Sequence, residues 1–150
     1  MLKKTILIFS FLFTFSLMSQ NKKSTLQQIE TTIQNYYDGY IYRDINKLNL
    51  AFDTENGTMK VPIKENDKVT GYKNAFFKDL MPIWGNRKKL TTEVLNNCTL
   101  TVLNIDVIDN KIASAKISMK VDTITYIDIL SLQVIDNTWK ITNKIYAVRK

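Results

Sequence analysis

From Cys98 onward the chain spells out four β-rich runs, "LTVLNIDVI", "IASAKISMKV", "ITYIDILSLQVI" and "WKITNKIYAV". Asp109-Asn110 separates the first two and Asp136-Asn137 the last two. Asp and Asn tolerate the left-handed backbone that a two-residue hairpin turn demands, so both pairs read as tight turns. Tight turns fix the topology, because a parallel pair needs a crossover of a dozen residues or more. The second half of the chain is therefore an antiparallel meander.

The first half has a different period. In "STLQQIETTIQNYYDGYIYRD", Leu26, Ile29, Ile33, Tyr36, Tyr37 and Tyr40 recur at steps of three and four, which marks an amphipathic helix. Ser24 or Thr25 can cap it, and Gly39 lies near its end. Asp44 caps a second short helix, "INKLNLAF". Asn56-Gly57 is a turn, and a short strand comes after it. "TGYKNAFFKDLMPIW" predicts a third helix, capped by Thr70 and apolar at Tyr72, Phe76, Leu80 and Ile83. Helices followed by a meander give an α+β domain, with the helices packed on one face of a curved sheet.

The first 19 residues stand apart. Lys3 and Lys4 precede an apolar run from Thr5 to Met18, and Ser19 is a small residue at a cleavable position. This is the pattern of a signal peptide. The run is shorter than the roughly 20 residues that span a bilayer, so no stable membrane insertion is expected after processing. The expectation is an exported protein, periplasmic or secreted, with one domain over residues 20–150. Without Lys3 and Lys4, 19 basic residues face 14 acidic ones, a net charge of about +5. The lysines are mostly scattered singles, so the charge reads as a solvated surface and no nucleic-acid partner is expected.

There is no histidine, and Cys98 is the single cysteine. Within this chain that excludes a Ser-His-Asp or Cys-His mechanism, a His-ligated zinc site and an intrachain disulfide. No metal and no cofactor is expected.

Several stretches resemble a known family. "YIDILSLQVIDNTWKITNKIY" is similar to the C-terminal signature of the putative lumazine-binding proteins, which tend to read Tyr-x-Asp-x-Leu-x-Leu, a turn, then Trp-Lys-Ile-x-Asn-Lys. The matching residues are Tyr126, Asp128, Leu130, Leu132, Trp139, Lys140, Ile141, Asn143 and Lys144. "YYDGYIYRDINKLNLAF" and "IDVIDNKIASAKISM" resemble the family's paired helices and central hairpin, although Asp53-Thr54-Glu55 departs from its usual text. The resemblance implies a nuclear-transport-factor-2-like (cystatin-like) fold. That is a conical half-barrel of curved antiparallel sheet wrapped around three N-terminal helices, with a cavity inside. The superfamily holds isomerases, dehydratases, cyclases and pure binding modules, so the fold does not decide the function.

One residue in the meander is out of place. Period-two alternation puts Tyr126, Asp128, Leu130, Leu132 and Val134 on one face of their strand, so a carboxylate lies among apolar side chains. On the last strand Trp139, Ile141, Asn143 and Ile145 share a face, while Lys140, Thr142 and Lys144 point to solvent. Counting out from the Asp136-Asn137 turn brings Asp128 near Asn143. The candidate ligand-binding set is Asp128, Asn143, Tyr126, Tyr36, Trp139 and Trp84, suited to a small ligand such as a flat heterocycle. A buried Asp that merely satisfies itself with Asn and Tyr fits the same residues. The enzymatic alternative is an isomerase-like or dehydratase-like site with Asp128 as general acid or base. The expected partner is thus a small molecule, and the outer sheet face leaves room for a homodimer.

Overall fold

The computed structural model describes residues 23–149, so the expected signal peptide lies outside the described residues. Helix α1 (Thr25–Tyr42) opens with a capping box. The Ser24 hydroxyl accepts from the Gln27 amide, and the Gln27 side chain accepts from the Ser24 amide. Its inward stripe is Ile29, Ile33, Tyr36, Tyr37 and Tyr40, as the spacing predicts, whereas Leu26, expected on the same stripe, lies in the first turn and is exposed. Arg43 ends the helix in a left-handed conformation, φ 61°. Asp44 then caps α2 (Ile45–Ala51), accepting from the amides of Asn46 and Lys47. The two helices meet closely at Gly39, where an added Cβ would lie 2.8 Å from Leu48 Cγ.

Six strands form one curved, unclosed sheet in the order β2-β1-β6-β5-β4-β3. They are β1 (Thr58–Glu65), β2 (Lys68–Phe76), β3 (Thr99–Ile108), β4 (Ile112–Val121), β5 (Ile124–Ile135) and β6 (Thr138–Arg149). The meander β3–β6 is antiparallel throughout, and two of its three turns are the expected ones, while the third, Asp122-Thr123 between β4 and β5, is not singled out in the sequence. Asp109, Asn110, Asp136 and Asn137 all have positive φ. The β1–β2 hairpin is also antiparallel, and it joins the meander through a short parallel contact of Thr58 and Met59 with Asn143 and Lys144 of β6.

The third helix differs from its expectation. Lys68–Phe76 is strand β2, and α3 begins only at Phe77 and ends at Gly85. Asn66 and Asp67, both with positive φ, make a hairpin turn that returns the chain along β1. As an edge strand, β2 leaves Tyr72 and Phe76 exposed, where the helical reading buries them. Phe77, Met81 and Trp84 form the buried stripe of α3, one step out of phase with the expected one. A further short helix, α4 (Thr92–Asn96), is capped by Thr91.

The core fills the space between the helices and the inner face of the sheet. Ile33, Leu48, Phe52, Phe77, Ile117, Leu130 and Ile141 are all essentially inaccessible. Burying each such side chain contributes about 1.5–3 kcal/mol, which holds the helices against the sheet. Bulges interrupt the pairing at Ile63/Lys64, Val102/Asn104 and Ser131/Leu132. Each adds a residue to one strand, bending it and reversing the facing of the residues beyond. The third of these bulges determines the site.

Candidate functional site

Strand β5 delivers Asp128 to the inner face, where it is fully buried. Up to the bulge β6 keeps the expected alternation, with Trp139 and Ile141 inward. There Leu132 pairs with Ile141 but Ser131 pairs with Asn143, so Thr142 is the extra residue. Past it the phase reverses. Lys144, expected in solvent, is 4% exposed and points inward, whereas Ile145, expected inward, is 43% exposed. Asn143 does not meet Asp128. Its amide donates to the carbonyl and hydroxyl of Thr58, fastening β1 to β6.

Asp128 is instead answered by Lys144 and Tyr36. Lys144 Nζ donates to Asp128 Oδ2 at 2.7 Å, and the Tyr36 hydroxyl donates to the same oxygen at 2.9 Å. Lys144 also donates to the Tyr36 hydroxyl. Asp128 Oδ1 is buried without a hydrogen-bond partner among the described residues, so these two groups supply all the compensation its charge receives. Burial pushes the Lys144 pKa down, and the charge of Asp128 opposes that shift. Burial, followed by the charge of Asp128, holds the Tyr36 phenol well above its ordinary 10.0. Both effects come from removing a charged form from water.

Aromatic rings enclose the ammonium. Lys144 Nζ lies 4.8 Å from the Tyr36 ring centroid, 5.4 Å from Tyr146 and 5.9 Å from Trp84. These are cation–π distances, stronger for being desolvated. Trp84 stacks on Tyr36 at 6.3 Å and meets Tyr40 edge-on at 5.4 Å.

Above this group opens a cleft of about 170 Å³. Lys144 and Tyr36 form its floor, and Trp84, Met59 and Met119 contribute apolar wall. Tyr126, Tyr146 and Arg87 complete the lining toward solvent, and Tyr40 is a buried part of the wall. An ammonium has three N–H donors, and Asp128 and Tyr36 take two of them here. The third can reach a polar group in the cleft.

Of the six residues singled out from sequence, Tyr36, Tyr126 and Trp84 line the cleft. Asp128 lies behind Lys144 and Tyr36 rather than on the wall. Trp139 and Asn143 are not brought to the cleft. Trp139 packs in the core, with its carbonyl accepting from the Thr32 hydroxyl at 3.1 Å. Lys144, Arg87, Tyr146, Met59 and Met119 escape the sequence reading of the site. For Lys144 the one available signal is that a buried Asp requires a compensating cation nearby, while strand alternation points the wrong way.

Among the described residues no cluster of three or more metal-ligating side chains occurs, and no helix is long and apolar enough to cross a membrane.

No curated protein of similar sequence is found. Solved structures do share the fold. One is a nuclear-transport-factor-2-like protein of unknown function from Shewanella baltica OS155, 18% identical, with 86% of this chain and 99% of that one covered at a TM-score of 0.67. Another, from Methylobacillus flagellatus KT, is also 18% identical, with 87% and 97% covered at a TM-score of 0.66. A cystatin-like fold protein from Burkholderia xenovorans LB400 is 10% identical, with 85% and 94% covered at a TM-score of 0.61. At these identities the likeness is one of fold alone. The family model described as "Putative lumazine-binding" matches residues 24–147, nearly all of the described chain, and the chain therefore belongs to the putative lumazine-binding family.

Proposed function

We propose that this is an exported binding protein that holds a small, flat molecule in the cleft above Lys144. The observation that carries the reading is the floor of that cleft, a buried Lys144–Asp128–Tyr36 group beneath aromatic walls. Burying an ion pair usually costs stability relative to apolar residues of the same shape. A fold that places one under an accessible cleft has a polar anchor ready for a ligand. Rings and methionine side chains around the anchor suit a planar heterocycle. The family's description supports this ligand type, and the cleft's size points to a ligand of one or two rings. Export is supported by the charged and apolar character of residues 3–19.

A proton-transfer reaction at Asp128 has less support, because Lys144 and Tyr36 stand between its carboxylate and the cleft. Self-association through the outer sheet face is supported by Ile129 and Ile145, direct cross-strand partners that are 47% and 43% exposed. Light scattering at rising concentration tests it, and a strict monomer removes it.

The binding reading is tested by native mass spectrometry of protein recovered from the producing cell's exported fraction. The expected result is a chain that begins near Gln20 and carries a small molecule released on denaturation. An intact Met1 on cytoplasmic protein contradicts export. Bare protein that also fails to take up added lumazine contradicts the ligand reading.

A further inference from the structure

The lining of the cleft is rich in donors and poor in acceptors. Its charged members are Lys144 and Arg87, and it contains no carboxylate. Asp128 is spent on Lys144 beneath the floor. Arg87 is exposed at the edge, and one of its N–H groups, on Nη1, donates to the Tyr40 hydroxyl at 2.8 Å. Among the described residues the ion pairs are Lys47–Asp38 and Lys144–Asp128, so Arg87 faces no carboxylate of its own. A guanidinium has five N–H donors in a planar fork that matches a carboxylate. Phenols at Tyr126 and Tyr146 add hydroxyls on the same side. Burial pushes Tyr126 up to about 12 and raises Tyr146 as well, so neither brings negative charge at neutral pH.

We propose that the cleft selects small planar ligands carrying a negative charge, with the anion on Arg87 and the ring between Trp84 and the two methionines. The proposal rests on the reading of the cleft as a small-molecule site and names the chemistry it prefers. An aromatic carboxylate or an ionised ring imide presents the required charge at the edge of a flat body. The anion need not displace Asp128, because the Arg87 fork lies at the mouth and the ion pair lies below.

The test compares benzoate with benzamide, its neutral counterpart of nearly equal shape, by calorimetric or NMR titration of the full chain. Wild type is expected to bind benzoate about tenfold more tightly than benzamide, the scale of one charge-assisted hydrogen-bond pair. Arg87→Gln is expected to bring that ratio close to one. Lys88→Gln, an equal loss of charge at the next residue, is expected to keep the preference and so separates the Arg87 contact from general surface charge. Equal binding of the two probes to wild type, or a preference that survives Arg87→Gln, overturns the proposal while leaving a small-molecule cleft in place. If neither probe binds, the proposal and the cleft reading fall together.

Discussion

Lys144 and Asp128 sit 2.7 Å apart, both buried, although their strands approach the Asp136-Asn137 turn in a register that would otherwise keep them apart. A regular hairpin would pair Leu130 with Asn143. The extra residue Thr142 makes Leu130 pair with Lys144 and Asp128 with Tyr146. A one-residue irregularity thus decides which polar group the carboxylate meets.

Removing one member of that pair should be far worse than removing both. Lys144→Met leaves a buried carboxylate with one phenol, and Asp128→Leu leaves a buried ammonium. Each is expected to cost about 3–5 kcal/mol in urea unfolding. The double variant replaces the pair with apolar groups and should be more stable than either single variant. A double variant as damaged as the sum of the singles would contradict the pairing.

Alkaline titration should reveal the buried phenols. Burial raises the folded pKa of Tyr36, Tyr37, Tyr126 and Tyr146 above the ordinary 10.0. Above pH 10 the folded state keeps protons that the unfolded chain has lost, so stability falls as pH rises. For Tyr37 and Tyr126 the window runs from 10.0 to about 12. Lys144 acts oppositely. Its folded pKa lies below 10.5, so stability rises with pH from that lowered value up to 10.5. Unfolding midpoints should therefore hold or rise toward pH 10 and fall beyond it. A continued rise toward pH 12 would contradict the burial of these hydroxyls.

Gly39→Ala should loosen the α1–α2 junction. The new methyl would lie 2.8 Å from both the Cγ and the backbone nitrogen of Leu48. Backbone cannot yield as a side-chain tip can, so a loss of about 1–3 kcal/mol is expected. Thermal unfolding checks it, and an unchanged midpoint would show that the helices are farther apart.

Asn137→Ala should weaken the β5–β6 hairpin that carries both members of the ion pair. Asn137 has φ 61°, where a Cβ without local polar compensation costs about 1–2 kcal/mol. Asn137→Gly removes the steric cost and should retain stability in the same denaturation assay.

The β3–β6 meander was legible because its signals are local. Asp-Asn turns and strand alternation need no distant information, and the capping residues Ser24 and Asp44 work within one helical turn. The part of β2 from Thr70 to Phe76 reads as helix in sequence because Tyr72, Phe76 and Leu80 happen to fall at helical spacing. What makes it a strand is the Asn66-Asp67 turn and a partner in β1, and the partner is a tertiary fact. Asp128 could be found as a carboxylate in an apolar alternation. Lys144 could not, since alternation assigns it to solvent and only the Thr142 bulge turns it inward. Arg87 belongs to a loop, where no period says which way a side chain faces.

The central claim is that a ligand enters the cleft over Lys144, and the chain's two tryptophans give a direct way to see it. Trp84 lines the cleft and Trp139 does not. The measurement is a ¹H–¹⁵N NMR titration of the two indole signals with lumazine, read together with the methyl signals of Met59 and Met119. The account predicts saturable shifts at Trp84 and both methyls, with Trp139 unmoved. Shifts centred on Trp139, or no shift at Trp84 and the two methionines at saturating lumazine, would contradict it.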